Sequence, residues 1–409
     1  MKPGTPARPS AKPAVSRLGA DAVTDAARDP VRDTARTPTP PCDDPPAKKP
    51  ALRNPDSPMS DADLDARVAA LRGDFAPRLL AWQRREGRHD LPWQNTRDPY
   101  RVWLSEIMLQ QTQVTTVLGY YKRFLERFPD VAALAAAPND EVMAAWAGLG
   151  YYSRARNLHK CAQAVVERHG GAFPRSAAEL AELPGIGRST AAAIASFCFG
   201  ERVAILDGNV KRVLGRLLAF DGDLSSAAQE KRLWRRAEAL LPSSPEDMPA
   251  YTQGLMDLGA SLCATRSPQC LLCPVAALCT GLAEGEPTRY PVKTKKLKRG
   301  QRESWWLWLE HEGRVWLQQR PAEGVWGGLW TLPLFDDEAA LTAQSAALGV
   351  AAPEPLPRVK HVLTHFDWLL HPRRALLPRE TRPAGEGVWV ARERLGEYAL
   401  PAPLKKLLD

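Results

Sequence analysis

The chain has 409 residues, enough for two or three domains, and its 44% hydrophobic and 25% charged residues are ordinary for a globular protein. No segment approaches the roughly 20 apolar residues of a membrane span, and the N-terminus lacks the apolar stretch of a secretion signal. We therefore expect a cytoplasmic protein without membrane contact. The net charge of +8 is uneven, because residues 1–53 contribute +4 and residues 293–302 contribute +6. The rest is nearly neutral, so binding of a polyanion there would depend on local placement of charges.

The pattern of residues divides the chain into four segments. Residues 1–60 are rich in Pro, Ala, Asp and Arg without periodicity, which predicts a disordered extension. Residues 61–282 repeat apolar positions at a spacing of three to four, punctuated by Gly and Pro, which predicts an all-α domain of about ten helices. Residues 283–302 form a basic connector. Residues 303–409 alternate apolar and polar positions around EHEGR, which predicts a β-hairpin within a smaller α+β domain containing one helix at DDEAALTAQSAAL.

Two carboxylates stand out in the helical segment. Glu106 lies among the apolar residues of VWLSEIML, where a carboxyl group without a partner is expected to have a raised pKa and to keep its proton. Asp207 follows an apolar run and precedes a helix predicted from about Asn209, whose N-terminus should lower the pKa of this acid. One protonated and one ionised acid suit protonation of a leaving group beside a developing cation. The sequence leaves open whether the two acids meet, and Asp207 could act as a helix cap alone.

The segment LPGIGRSTAAAI, residues 183–194, predicts a tight turn followed by a helix. Gly185 and Gly187 let the backbone approach a ligand closely, and the free amides of a helix beginning at Arg188 or Ser189 face the same side. This arrangement indicates binding of a nucleic-acid phosphate without sequence preference. The alternative is an ordinary corner between two helices.

Four cysteines lie within 17 residues in the pattern C-x6-C-x2-C-x5-C: Cys263, Cys270, Cys273 and Cys279. Such crowding is not typical of structural disulfides in a large cytosolic chain. A zinc site usually has two short C-x2–4-C pairs, and only one is present here, so the spacing favours a [4Fe–4S] cluster while leaving zinc open. The other cysteines, Cys42, Cys161 and Cys198, are interpreted as plain thiols.

These motifs together resemble the helix-hairpin-helix base-excision glycosylases of the iron–sulfur branch. Within that branch LPWQ (91–94), DPYRVWLSEIMLQQTQV (98–114), GLGYYSRARNLHK (148–160) and DGNVKRVLGR (207–216) resemble the MutY-type adenine DNA glycosylases. The resemblance implies an all-α helix-hairpin-helix domain with one [4Fe–4S] cluster on the four cysteines. It further implies a monomer that hydrolyses the glycosidic bond of adenine opposite 8-oxoguanine or guanine in double-stranded DNA, without cleaving the strand.

The resemblance also implies individual roles. Glu106 would protonate the extruded adenine at N7, and Asn209 would orient Asp207. Asp207 would stabilise the oxocarbenium-like sugar, either electrostatically or as a transient covalent adduct. Gln111 and Tyr151 would enter the base stack. Contacts with the adenine are implied for Trp93, Leu109 and Asp257. Binding of the DNA strand, together with a monovalent cation, is implied for the hairpin residues Gly185, Gly187 and Ser189. Recognition of 8-oxoguanine is implied for Thr364 and His365.

The C-terminal segment resembles a Nudix fold, with GVWGGLWTLP at residues 324–333. The metal-binding glutamates of working Nudix enzymes are absent from the following DDEAALTAQSAALG, so the resemblance implies a domain that recognises 8-oxoguanine. Its F-S-H loop corresponds here to Leu363, Thr364 and His365, which lack the first aromatic. A simple strand and turn is the alternative interpretation of this loop.

Two other function classes are compatible with parts of the pattern. Endonuclease III-type lyases use a lysine nucleophile after the hairpin, but the matching residue here is Ser189, and those enzymes lack the acid matching Glu106 and the second domain. A non-catalytic binder of damaged DNA would need neither acid. Both comparisons favour the adenine glycosylase.

Overall fold

The computed structural model describes residues 59–294 and 298–409. The predicted extension, with Cys42, therefore lies outside the described residues except at its last two positions. Met59 is buried and its amide donates to the Asp221 carboxylate, while Ser60 caps the first helix in a reciprocal capping box with Asp63. An apolar side chain and a cap therefore fix Met59 and Ser60, the last two residues of the predicted extension, against the helical domain.

Thirteen α-helices lie between residues 59 and 294. They are α1 Asp61–Leu71, α2 Phe75–Glu86, α3 Pro99–Leu109, α4 Val114–Arg127, α5 Val131–Ala136, α6 Asn139–Trp146, α7 Ser153–His169, α8 Ala177–Leu180, α9 Arg188–Phe199, α10 Gly208–Leu217, α11 Ala227–Ala239, α12 Met248–Ala260 and α13 Thr280–Ala283. The number exceeds the expected ten because α5, α8 and α13 are only four to six residues long, too short to produce a periodic pattern.

Helix α9 lies between two apolar cores. Ala191, Ile194 and Ala195 pack in a core formed mainly by α3 to α8, whereas Ala192 and Ala193 pack against α1, α2 and α10 to α12. Small side chains let helices on both sides approach α9 closely. The two halves of the helical domain therefore share one central helix, and a cleft between them faces the N-terminal ends of α9 and α10.

Helices α10 and α12 also cross closely, at Gly259. A Cβ atom at this position would lie 2.6 Å from the Asn209 Cβ and 3.2 Å from the Asn209 backbone. The absence of a side chain at Gly259 therefore determines how near the first turn of α10 lies to α12.

The C-terminal domain is built on an eight-stranded sheet. Its strands are β1 Gly300–His311, β2 Arg314–Gln319, β3 Trp330–Thr331, β4 Leu334–Phe335, β5 Glu354–Pro355, β6 Val359–Val362, β7 Phe366–Leu376 and β8 Val388–Ala391, with helices α14 Glu338–Ala347 and α15 Ala402–Leu408. The predicted hairpin is present, since β1 and β2 pair antiparallel around Glu312 and Gly313, both with positive φ. The long parallel pairing of β1 with β7 forms the centre of the sheet.

The predicted connector is shorter than expected. Helix α13 ends at Ala283, and β1 already begins at Gly300, because Gly300 to Arg302 pair with the start of β7. Residues 295–297 of the connector are outside the described part. In the two described ranges, no helix combines the length and apolar character needed to cross a membrane.

We predict that Gly259→Ala lowers the free energy of unfolding by about 1–3 kcal/mol, because the new methyl group must displace the first turn of α10. Gly215→Ala is the matched control: it lies in α10, and its Cβ would meet Pro291 at an ordinary 3.5 Å. The control should be neutral or stabilising by about 0.5–1 kcal/mol. Urea unfolding followed by helical circular dichroism measures both; equal stability of the two variants would contradict the close crossing.

Candidate active site

Helix α3 carries Glu106 to the floor of a large cavity. Asp98 caps the helix through its side chain, Pro99 occupies the first turn, and Trp103, Leu104 and Ile107 are buried on the far side. The cavity has a volume of about 1180 Å³ and lies between the two halves of the helical domain. Seven residues predicted for the site line it: Trp93, Glu106, Leu109, Gln111, Ser189, Asp207 and Asn209.

The Glu106 carboxyl is in an environment that favours its protonated form. Its side chain lines the cavity and is only partly exposed, and within the described residues it has no hydrogen-bond or ion-pair partner. Burial, and then the negative charge of Asp207, raise its pKa to about 8. The negative charge of Asp207 therefore acts on Glu106 across the cavity.

Asp207 caps helix α10. Its Oδ1 accepts the Val210 amide at 2.7 Å, and the buried segment before it is fixed to α9 because the Leu206 amide donates to Ser189 Oγ at 3.0 Å. The predicted lowering of its pKa is wrong: burial raises the pKa, and the amides of Val210 and Asn209 oppose this effect only in part. The loss of water around the carboxylate outweighs the helix N-terminus.

Asn209, which is predicted to orient Asp207, contacts it through the backbone and not through the side chain. Its backbone amide acts on Asp207, whereas its Oδ1 accepts from Arg212 at 2.8 Å. Arg212 also donates to the carbonyls of Gly259 at 2.6 Å and Cys263 at 2.8 Å. The Asn209 side chain therefore links the first turn of α10 to α12 and the cysteine loop.

The structure corrects the prediction that Asp257 lines the adenine pocket, because Asp257 is not among the residues that line the cavity. It is buried behind the cavity wall, where its carboxylate accepts from the Arg88 amide, from Arg88 Nε at 2.7 Å and from Gln253 at 2.8 Å. Arg88 and Gln253 are the residues of this group that line the cavity. Sequence reasoning missed both. Arg88 is 169 positions from Asp257, so no local pattern connects them, whereas Gln253 lies one helical turn before Asp257 on α12 and that spacing could have indicated the contact.

The predicted hairpin turn precedes α9. Gly185 has φ +77°, a conformation suited to glycine, and a Cβ there would lie 2.6 Å from the Asn157 Cβ. Gly187 is the exposed N-cap residue of α9, and Ser189 follows in the first turn. The amides at this end of α9 are available to an anion at the protein surface.

Tyr151, Thr364 and His365 lie outside the cavity. Tyr151 is an exposed aromatic with φ +49°, and its hydroxyl is 3.1 Å from Thr364 Oγ1 in the loop between β6 and β7. His365 is exposed, and its carbonyl accepts the Gly300 amide. The turn before α7 and the predicted reading loop of the C-terminal domain are therefore in direct contact.

The four clustered cysteines, Cys263, Cys270, Cys273 and Cys279, line a second, smaller cavity with mostly apolar walls. All four are free thiols, and Arg216 donates to the Cys263 carbonyl and sulfur. Within the two described ranges, no three His, Cys, Asp or Glu side chains converge on the position of a single metal ion. The donor set is four sulfur atoms around one cavity, a set that suits iron–sulfur chemistry.

Helix α14 of the C-terminal domain lacks a carboxylate cluster. Glu338, the one acid in α14, makes two hydrogen bonds with Arg373 of β7. This agrees with the absence of the Nudix glutamates from the sequence.

Comparison with known proteins places these features in families. Residues 104–239 match the HhH-GPD superfamily of base excision DNA repair proteins, and residues 304–409 match the NUDIX domain. An adenine DNA glycosylase of Buchnera aphidicola (subspecies Acyrthosiphon pisum) is 35% identical, with coverage of 82% of this chain and 97% of the relative. The adenine DNA glycosylase of Homo sapiens is 34% identical, with coverage of 84% and 74%.

Among solved structures, a thermostable thymine-DNA glycosylase matches 52% of this chain and 97% of its own, with 30% identity and a TM-score of 0.46. The sequence relatives extend through both domains of the present chain, and the Buchnera protein is matched over almost its whole length. The chain belongs to the adenine DNA glycosylase family.

Proposed function

We propose that this protein is a monofunctional DNA glycosylase that hydrolyses the bond between adenine and deoxyribose, with 8-oxoguanine or guanine as the opposing base. The observation that carries the proposal is that Glu106 and Asp207 line one cavity and that, in the part of the chain that the structure describes, no cation pairs with Glu106. Adenine must leave the duplex to enter such a cavity. The named relatives are adenine DNA glycosylases, which supports the same substrate base.

The mechanism assigns a different step to each acid. Glu106 donates its proton to adenine N7, so that the glycosidic bond breaks with its electron pair leaving on a neutral base. Asp207 stabilises the resulting oxocarbenium-like sugar, and water adds to that carbon while its proton passes to a carboxylate. Growth of positive charge beside Asp207 favours the ionised form of this acid, which offsets the burial that raises its pKa in the free protein.

The lyase alternative requires an amine at the reacting sugar. At the position of the lyase nucleophile, the Ser189 hydroxyl accepts the Leu206 amide and contributes to the shape of the site. Among the described residues, the lysine that lines the cavity is Lys293, which is exposed at its rim. We therefore expect base release without strand cleavage.

The contact between Tyr151 and Thr364 supports reading of the opposing base by the C-terminal domain. Tyr151 is the residue expected to enter the base stack, and Thr364 presents a hydroxyl beside it. A DNA base stacked near Tyr151 would therefore lie within reach of the Thr364 loop. Gln111, at the edge of the cavity, is the second residue expected to enter the stack.

The predicted outcome with a duplex containing adenine opposite 8-oxoguanine is strand cleavage only after hot alkali, since hydrolysis leaves an intact backbone at an abasic site. Cleavage without alkali that disappears in Lys293→Ala would favour the lyase. The absence of adenine release would exclude the proposed activity. Gel analysis of a labelled adenine strand measures each outcome.

In the same assay, Thr364→Val tests the reading of the opposing base. The substitution should bring the single-turnover rates of adenine release opposite 8-oxoguanine and opposite guanine closer together. Thr342→Val is the control, because Thr342 lies on α14 and its hydroxyl donates to the local Glu338 carbonyl. Unchanged selectivity in Thr364→Val would argue against its role.

We predict that the single-turnover rate of adenine release falls as pH rises through about 8, because the acid must carry a proton and its raised pKa lies there. Glu106→Gln should lower the rate by about 10²–10⁴-fold without weakening duplex binding. Glu126→Gln, an exposed acid on α4, is the control. A Glu106→Gln enzyme with near-native rate would contradict the assignment.

We further propose that the four cysteines bind one [4Fe–4S] cluster. When bound, the cluster would supply a fixed centre for residues 263–279, the loop whose Cys263 carbonyl accepts from Arg212 and Arg216. Through Arg212 this loop is connected to Asn209 beside the catalytic acid. The monovalent cation at the hairpin and the monomeric state stay predictions.

Purified protein should contain about four iron atoms and four acid-labile sulfides per chain, as a [4Fe–4S] centre requires. Cys273→Ser should lose most of this iron, whereas Cys161→Ser, which alters a buried thiol remote from the loop, should retain it. Stoichiometric zinc without iron would favour the alternative metal.

A further inference from the structure

Arg154, in the first turn of α7, is a buried cation that binds backbone carbonyls rather than an acid. Its side chain is only 9% exposed. Its Nη1 donates to three carbonyls at the end of α3 and beyond it: Ile107 at 2.8 Å, Met108 at 3.0 Å and Gln110 at 2.6 Å. Its Nη2 donates to Thr112 Oγ1 at 3.1 Å, Gly150 O at 3.3 Å and Leu149 O at 3.4 Å. One guanidinium group thus joins three segments of the helical domain.

The residues next to these carbonyls have an unusual backbone conformation. Gln111 has φ +56° and Tyr151 has φ +49°, values that side-chain-bearing residues rarely adopt. Gln111 follows the Gln110 carbonyl, and Tyr151 follows the Gly150 carbonyl, both of which accept from Arg154. Such conformations persist only where surrounding contacts fix them. Arg154 supplies contacts of this kind through the carbonyl that precedes each of the two residues.

The aromatic contacts of Arg154 involve the same region. Its guanidinium carbon lies 5.4 Å from the Tyr151 ring centre and 5.3 Å from that of Trp146. Burial lowers the pKa of the guanidinium to about 10, which still leaves it charged at neutral pH. Lysine could not make the same contacts, because its single ammonium group lacks the planar fork with which a guanidinium reaches carbonyls in two directions.

A helix end alone does not account for an arginine here. Helix α9 ends at Gly200, whose backbone amide donates to the carbonyls of Ala195 and Ser196 without a buried charge. The last carbonyls of α3 instead accept from Arg154, and the next residue after the C-cap Gln110 is Gln111, whose backbone is in the left-handed region. We therefore associate the charge of Arg154 with the positions of the loops that carry Gln111 and Tyr151, and not with termination of α3.

We propose that Arg154 is a positioning residue for extrusion of the adenine: it holds Gln111 and Tyr151 in fixed register with each other and with the helix that carries Glu106. This inference rests on the proposed function, in which these two residues enter the base stack. Arg154 itself lies beneath both loops and acts on DNA through them. Substitution of Arg154 should therefore impair extrusion of the base more than proton donation by Glu106.

The test compares Arg154→Lys and Arg154→Met with Arg236→Lys as control. Arg236 is buried to 2% exposure on α11, which packs in the other core of the helical domain. It donates to carbonyls of Asp61 and Arg232 and also pairs with the carboxylates of Asp61 and Asp65, so Arg236→Lys removes a buried guanidinium that has no contact with Gln111 or Tyr151. Extrusion is followed by the fluorescence rise of 2-aminopurine in place of adenine, with every protein in a Glu106→Gln background that prevents base release. Single-turnover rates are measured separately with native Glu106, below the melting temperature of each variant.

Both Arg154 variants should slow extrusion and adenine release by about 100-fold, the order expected from an ångström-scale misplacement. The pH at which the rate falls should stay unchanged, since Glu106 keeps its surroundings. The Arg236 control should melt at a lower temperature with normal extrusion. Normal extrusion in Arg154→Lys, or a defect seen only as a shifted pH profile, would overturn the inference.

A further pair of measurements separates this inference from the proposed function. Tyr151→Ala should be defective in the same fluorescence assay; if it extrudes normally, the role of Tyr151 in the base stack fails, and the inference fails with it. If Tyr151→Ala is defective while Arg154→Met is normal, only the positioning role of Arg154 is overturned. If the native enzyme releases no adenine, the proposed function itself is wrong.

Discussion

Glu106 can keep its proton near neutral pH only if no cation pairs with it, and several neighbouring side chains are arranged in a way that meets this condition. Arg88 lines the cavity, yet Asp257 binds it from behind. Arg212 lines the cavity too, but its donors end on Asn209 and on backbone carbonyls. In the proposed mechanism, the buried Asp257 would matter without lining the cavity, because it binds an arginine that would otherwise be free to neutralise Glu106.

Close helix packing then brings the second acid to the same cavity. The alanines of α9 allow both halves of the helical domain to approach it, and Gly259 allows α12 to approach the first turn of α10. Ser189 fixes the segment before Asp207 through the Leu206 amide. Asp207 thus owes its position to small residues and one hydroxyl group. A larger side chain at any of these positions would move the acid even if Asp207 itself were unchanged.

Local patterns in the sequence were sufficient for the features that a short segment encodes. One acid among apolar helical residues marked Glu106, two glycines before a helix marked the hairpin, and alternation around EHEGR marked β1 and β2. The sequence did not reveal Arg88 or the true place of Asp257, since their contact joins distant segments. The pKa of Asp207 was mispredicted for a related reason: the helix N-terminus is visible in the sequence, whereas the extent of burial depends on the tertiary fold.

The two acids remain different although burial raises the pKa of both. Around Asp207 the amides of Val210 and Asn209 and the charges of Arg212 and Lys211 oppose the effect of burial, while at Glu106 the charge of Asp207 adds to it. Loss of a proton from Asp207 therefore makes Glu106 a weaker acid in the free protein, with a proton retained for the base. In the proposed mechanism Glu106 transfers this proton to adenine, and its own negative charge and that of Asp207 would then both face the sugar as positive charge develops there. On this proposal the arrangement would favour the charge distribution of the bond-breaking step over that of the bound substrate.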